Sequence, residues 1–511
     1  MNVMKEIILD GRLCWSDVAA IASGSMLELS AAARQRIDAA HCIVRAVVDN
    51  SIRAYGINTG VGALSDLVIP REQQGLLSRR ILLSHAVGVG PPLPTAETRA
   101  IMAAMVNNFA HGYSGLRSCV VQRIIELLNA GCTPQVPQRG SVGYISHSAQ
   151  IGLALIGYGT VDFRGERLPA AVALARLNLE PLVLQAKEGL CLVNGTPCVT
   201  GLGCLVVHRS RQVMDWADSV AAMTFETQRG QLRAFDPTMV ALRLSPGLLE
   251  VAGKLNRILS GSGILAAAAG RRTQDALSLR AIPQVHGAVR DAWGAVAQNV
   301  DQELGSVTDN PIVAGSADSP QIYSQANPVG AGMGLAMDQM AVAMAELGGI
   351  SGSRLERIVN PLVSGLPAFL AQPGGTASGF MIAQYAAVSL IGENRRLAAP
   401  ASLDGGNTSG LQEDILCHAT PAALKALAVI ENVRSIIAIE FLAASQSYDL
   451  LDLHGNSPAP HSLALYRALR EVIGPYADDR PLGEDIDAAT RFMAARDPEE
   501  IFRRSGLTPA I

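Results

Sequence analysis

Apolar residues recur at helical spacing over much of this 511-residue chain, and the runs lengthen toward its second half. Residues 1–28 alternate in short apolar and polar pieces, which predicts a small strand or extended segment. Ser30 then stands where an N-cap stands, before a helical run from Ala31 to about Asn50. Helical patterns follow near 96–111 and 117–130. Between the first of these helices and the next lies Gly-rich loop sequence, including residues 55–60 and 84–90. After about residue 200 the loops become sparser and the helices longer. The clearest begins at Thr420-Pro421, read as a cap followed by Pro at the first helical position. No Gly or Pro then interrupts it until about Leu450. About thirty residues would span roughly 45 Å, a length typical of a helical bundle. Leu424, Leu427, Val429, Ile430, Val433, Ile436, Ile437, Ile439 and Leu442 surround this helix with apolar side chains. That predicts burial on most sides, between subunits. The pattern thus divides the chain into a loop-rich domain, residues 1–200, and a long-helix region, residues 201–511. No fixed-period repeat or low-complexity tract is present.

Length alone suggests roughly two to four domains. Composition argues for one helical mass instead, because hydrophobic residues reach 49% while aromatics contribute only 4%. A net charge of −4 leaves no basic footprint for nucleic acid or an anionic membrane. The eight cysteines are scattered and form no CxxC pair, so neither a metal site nor a disulfide framework is indicated. The apolar run near the N-terminus is too short for a signal sequence. No uninterrupted apolar stretch reaches about 18 residues, which argues against a membrane span. These features predict a soluble cytoplasmic protein. The Gly-rich loops do not signal a nucleotide: Gly88-Val89-Gly90 runs into Pro91-Pro92, and neither phosphate-loop spacing occurs.

Several polar groups are out of place as structural filler. Tyr55 and Asn58 sit in a loop without apolar periodicity. Asn194-Gly195-Thr196 ends a short apolar run. Gln274-Asp275, Arg280 and Gln284 interrupt an otherwise apolar region. Gln412-Glu413-Asp414 precedes the long helix, with His418 behind it. Loops carry function more often than packed elements do, and a pocket needs only a few convergent polar groups.

YGINTG (55–60), LSHAVGVG (83–90), VNGTP (193–197), QDALSLR (274–280), PQVHG (283–287), DNP (309–311), SGFMIAQ (378–384), EN (393–394) and LQED (411–414) occur in this order. With that order the chain resembles the aromatic amino acid ammonia-lyases, and within them the histidine ammonia-lyases. The resemblance implies a mainly α, fumarase/aspartase-like fold of long bundled helices with a loop-rich N-terminal domain. It also implies a homotetramer whose active sites draw on more than one subunit, and a small-molecule carboxylate substrate. By the same resemblance Tyr55 is the catalytic acid or base, and Arg280 grips the carboxylate as a bidentate fork. Asn194 and Gln274 are hydrogen-bond partners of the carboxylate or the reacting centre, and His85 with Glu413 holds an imidazole-like ring. For each residue a structural role remains open: a loop-bound phenol for Tyr55, a buried ion pair for Arg280, a core histidine for His85.

The departures from the family pattern converge on Gly140-Ser141-Val142-Gly143-Tyr144-Ile145-Ser146-His147. In the family, Gly-Ser-Val-Gly precedes an Ala-Ser-Gly triad that cyclises into an electrophilic methylidene-imidazolone ring. Ring formation needs a β-hydroxyl or thiol on the middle residue and favours Gly after it. Ile145 has no hydroxyl, and shifting the frame to Ser146 places His147 where Gly belongs. Leu277, Ser324, Asn327 and His147 also replace residues that surround the electrophile in the family. No cofactor is therefore expected. Tyr144 and His147 are candidate catalytic residues of a remodelled site, although Tyr144 equally fits as filler of vacated volume. A substrate with a good leaving group needs no electrophile, and the ring-lacking ergothionase branch of the family follows that logic. The leading expectation is a ring-independent C–N lyase acting on an imidazole-bearing amino acid or betaine. The alternatives are a cyclase, isomerase or hydrolase on the same scaffold, and a non-catalytic binding homologue.

Overall fold

The computed structural model describes residues 6–507 apart from 373, 404 and 454. They are mainly helical and gather into two compact units, each assembled from separated stretches of chain. The first comprises residues up to 208 with 296–338 and 400–424, and the second 209–295, 339–399 and 425 onward.

All strands among the described residues belong to the first unit, and each sheet is small. Glu6–Leu9 pairs in parallel with Met26–Leu29, and Val89–Pro92 runs antiparallel to Pro137–Arg139. Cys132–Pro134, Thr160–Phe163 and Glu166–Pro169 form a three-stranded antiparallel sheet, and Ile312–Gly315 pairs with Pro320–Tyr323. The segment expected to be only a strand also contains a helix, Trp15–Ala22. It packs on helix Thr95–Ala110 and buries Val18, Ala19, Ile21 and Ala22, a tertiary gain that local alternation does not reveal. The next helix, Ala31–Asp49, begins as expected, with Ser30 Oγ accepting the Ala33 N–H at 3.0 Å. Helices Thr95–Ala110 and Ser118–Asn129 match the next two patterns. Within the former Arg99 is buried, and its guanidinium donates to the carbonyls of Ile21 and Leu128 at 2.7 Å each. That arrangement satisfies a charge which would otherwise be costly to bury.

The long helices Pro197–Thr227, Ala331–Val359 and Ala419–Leu450 have 31, 29 and 32 residues. The last starts at Ala419 rather than after a Thr420 cap. Pro421 then falls in the first turn, where the backbone N–H has no helical partner to lose. Its apolar side chains are also covered differently from the expectation of a subunit interface. Val429, Ile430, Val433, Ile436 and Ile437 are already fully buried within one chain. The stretch Glu188–Thr227 is long and apolar enough to cross a membrane by length and composition, yet 94% of its most apolar window is buried, as in a core helix.

The core of the second unit contains Trp216 against Phe441 and Phe492, at ring-centroid distances of 5.4 and 5.7 Å. A buried ionic network lies in the same unit. Arg354 Nε and Nη2 donate to Glu440 at 2.6 and 2.9 Å, and Ser351 and Thr224 donate to the same carboxylate at 2.6 and 2.7 Å. His286 Nε2 lies 3.2 Å from Arg354 Nη1, which can only donate. The imidazole must therefore carry its proton on Nδ1, which donates to Asp218 Oδ1 at 2.8 Å.

Candidate active site

A cavity of about 880 Å³ opens in the first unit, lined by five of the expected residues, Tyr55, His85, Tyr144, Asn194 and Glu413, together with Ile145. Each reaches the cavity from a different piece of chain. Tyr55 stands on a turn that Asn58 folds: its side-chain oxygen accepts the Ala54 N–H at 2.9 Å and its amide donates to Ile52 O at 2.8 Å. Thus the amide of that motif is structural, and the phenol is presented. Gly56 permits the turn through its φ of +63°, and a Cβ there would sit 2.3 Å from Leu190 Cδ2. The Tyr55 oxygen accepts the Gly62 N–H at 3.3 Å.

Half-buried His85 ends the helix Gln74–His85, and its Nδ1 lies 2.9 Å from Ser84 Oγ. Burial, opposed by a hydrogen bond with the Ile81 backbone, holds its pKa below the ordinary histidine value and favours a neutral ring. Asn194 caps the C-terminal end of helix Glu188–Val193. Its Oδ1 accepts the Gly195 N–H at 3.0 Å, while Nδ2 donates to Asn310 O at 2.5 Å. Glu413 lies in the segment before the long helix, where Thr408 N donates to its carbonyl at 2.9 Å.

Tyr144 is 7% exposed, and its hydroxyl donates to Glu413 Oε2 at 3.0 Å. Burial, followed by the charge and hydrogen bond of Glu413, pushes the phenol well above its ordinary pKa. The phenol therefore stays protonated and donates to Glu413. Ile145 has φ +77° and ψ −75°, and Ser146 N donates to Tyr144 O at 3.1 Å. These values describe a positive-φ γ-turn, a strained form that is rare for a β-branched residue. Gly143, at φ +137°, completes the bend: a Cβ there would lie 2.9 Å from Cys417 Sγ.

Three expected residues do not join this cavity. His147 is 1% exposed; its Nε2 lies 3.1 Å from the Gln138 carbonyl, and its Nδ1 is buried without a partner. Burial lowers its pKa, so the ring is neutral. Gln274 is exposed and Arg280 half-buried, both in the second unit and neither among the cavity's lining residues. Arg280 Nε is buried without a hydrogen-bond partner. The structure adds Arg53, Asp66, Asn310, Gln325 and Gln412 to the lining. Arg53 Nη2 lies 2.8 Å from Asp66 Oδ1, so these charges offset one another. Asn310 lies within the DNP motif and Gln412 within LQED, a signal that could have singled out both. Nothing in the sequence marks Arg53 or Gln325. A second cavity, of about 580 Å³ in the second unit, has a largely apolar wall that includes Ile382, Ala386 and Leu482.

A cavity of this size with a few convergent polar groups suits a small polar substrate. The model of the aromatic amino acid lyase family matches residues 13–471, and the chain belongs to that family. The histidine ammonia-lyase of Symbiobacterium thermophilum is 42% identical over 494 residues, covering 96% of this chain and 97% of that protein. Among solved structures, the tyrosine aminomutase of Streptomyces globisporus superposes with a TM-score of 0.92 at 31% identity, covering 98% of this chain and 99% of that one. Ergothionase from Treponema denticola, an ergothioneine-degrading enzyme, superposes with a TM-score of 0.88 at 26% identity, covering 96% and 99%. The mainly helical architecture expected for the family is the one found.

Proposed function

We propose that the protein is a cytoplasmic, homotetrameric C–N lyase that works without the methylidene-imidazolone ring and eliminates an activated amine from an imidazole-bearing amino acid or betaine. The observation that carries this reading is the wall of the cavity itself. Ile145 occupies the strained turn there, with Tyr55, His85, Asn194, Tyr144 and Glu413 lining the same space. The residues present do not fit the ring. Ile145 has no β-hydroxyl to lose and cannot become a dehydroalanine.

The remaining groups suit elimination of a good leaving group. Glu413, whose other oxygen accepts no hydrogen bond among the described residues, and neutral His85 hold the imidazole. Tyr55, as the base, takes the proton from Cβ, and the electron pair of that C–H bond becomes the Cα=Cβ double bond. The Cα–N bond breaks, and its electrons depart on a neutral tertiary amine. The Gly62 N–H donates to the Tyr55 oxygen at 3.3 Å and helps fix its position toward Cβ. In the tetramer Arg280 and Gln274 serve the carboxylate in a neighbouring copy's site.

The test is to mix the protein with the trimethylammonium betaine of histidine. The expected product is a conjugated acrylate absorbing in the near ultraviolet, and Tyr55→Phe should abolish it. A flat absorbance across a panel of betaines and α-amino acids would overturn the reading. One observation favours a second reading, another reaction class on this scaffold: Leu277, where the family has a catalytic Tyr, is 65% exposed. Conversion of an α-amino acid to a non-conjugated isomer, seen by NMR, would support it.

A further inference from the structure

Beside the cavity-lining Leu190, Asn194 and Asn310 in the chain lies a charged cluster to which the proposed chemistry assigns no role. Lys187 and Asp309 are fully buried side chains, with Nζ 3.4 Å from Asp309 Oδ2. The same Nζ lies 3.4 Å from Cys191 Sγ, whose thiol donates to the Ser114 carbonyl at 3.2 Å. Glu188, the next residue in the chain, is closed by Arg117 Nε at 2.7 Å. Burial alone would lower the pKa of Lys187, but Asp309 and Cys191 outweigh it and the ammonium is retained. A buried ion pair contributes little net stability, so its position asks for another explanation.

The position is informative. Lys187, in a left-handed conformation at φ +67°, starts the helix that brings Leu190, Val193 and Asn194 to the cavity. Asp309 precedes Asn310 and takes its N–H on Oδ1 at 2.7 Å. Asn310 in turn accepts Asn194 Nδ2 on its carbonyl at 2.5 Å and Gln325 N–H on its side chain at 2.6 Å. Gly56, beside Tyr55, approaches both Leu190 and Pro311. The two segments that the Gly56 turn approaches are therefore joined to each other by one buried charge pair.

We infer that Lys187 and Asp309 form a buried clasp that positions Asn194 and the Tyr55 turn for the substrate. Its catalytic consequence rests on the lyase reading above; the placement of the two segments does not. Lys187 touches no substrate in this account and acts through Asn310 and Asn194, as a positioning residue.

The test uses the full-length chain with Lys187→Met, and with Lys187→Met/Asp309→Asn as the neutralised form in case the single variant does not fold. Hydrogen exchange is read by mass spectrometry in residues 188–197 and 307–313. Exchange should rise in both segments while residues 210–225 stay unchanged. On the histidine betaine, kcat should fall by about tenfold to a hundredfold, the scale of a misplaced catalytic group. In an Asn194→Ala background Lys187→Met should cost nothing further, because its effect passes through Asn194. Unchanged exchange in 307–313, or additive losses in the two backgrounds, would overturn the clasp. A wild-type protein silent toward betaines counts against the lyase reading alone, and the exchange comparison then decides the clasp.

Discussion

Glu440 in the second unit and Glu413 in the first are both carboxylates held by hydrogen bonds, yet their surroundings differ in kind. Glu440 is fully buried and receives four donors, from Arg354, Ser351 and Thr224. Asp218 nearby is similarly closed by His286 and Arg290, whose positive charge helps hold its pKa below the usual carboxylate range against the cost of burial. Among the described residues Glu413 receives only Tyr144 on its side chain, and it borders the cavity of about 880 Å³. A saturated buried carboxylate is a structural element, because removing a partner leaves an uncompensated charge. A carboxylate with spare acceptor capacity at a cavity is available to a ligand. Counting donors per carboxylate separates the two regions where residue type alone would not.

The sharpest way to test the contrast is Tyr55→Phe. Loss of a general base should reduce turnover by at least about 10²-fold, while the melting temperature barely moves. A large drop in melting temperature would make Tyr55 a structural phenol and remove the distinction. Next comes Arg354→Met in the second unit. Stranding Glu440 should cost about 3–5 kcal/mol in chemical denaturation. A cost below about 1 kcal/mol would show that the network is not closed in the way its geometry indicates.

Glu413→Gln should behave oppositely, keeping stability within about 1 kcal/mol but weakening an imidazole-bearing ligand by roughly tenfold, the loss of one charge-assisted hydrogen bond. Calorimetry on the betaine reads the second effect. The smallest effect concerns pH. His147 in the first unit and His286 in the second both have lowered pKa values, with burial the largest cause. The unfolded chain, with histidines near about 6.5, then binds protons first as pH falls. Stability should be fully present above about pH 6.5 and decline below it, by up to about 1.4 kcal/mol per pH unit for each histidine. A urea midpoint that stays flat from about pH 7.5 to 5.5 would contradict both placements.

Much of this molecule is legible along the chain. Ser30 and the helix it caps, the two helices near residues 100 and 120, and the long helix to Leu450 follow local periodicity. The motifs around Tyr55, His85, Asn194 and Glu413 identify the family and four residues of one cavity. What escaped was governed by distant partners. The helix Trp15–Ala22 exists against Thr95–Ala110. The apolar surround of the 419–450 helix reads as an interface, although one chain already buries it. The Asn58 amide, conspicuous in sequence, folds its own turn. Tyr144 could be filler or catalyst by sequence, and only its 3.0 Å approach to Glu413 defines it as a donor.

The covalent and local facts belong to the sequence alone. Ile145 lacks a hydroxyl wherever it is placed, and helical periodicity requires the helices to bury particular faces. The tertiary structure decided which polar groups meet. Tyr144 and Glu413 are 269 residues apart, and Lys187 and Asp309 are 122 apart. The two units are likewise woven from separated stretches. Local propensity carries no information at such separations. A side chain's partner, and hence its charge state and chemistry, is fixed only when packing brings distant segments within hydrogen-bonding reach.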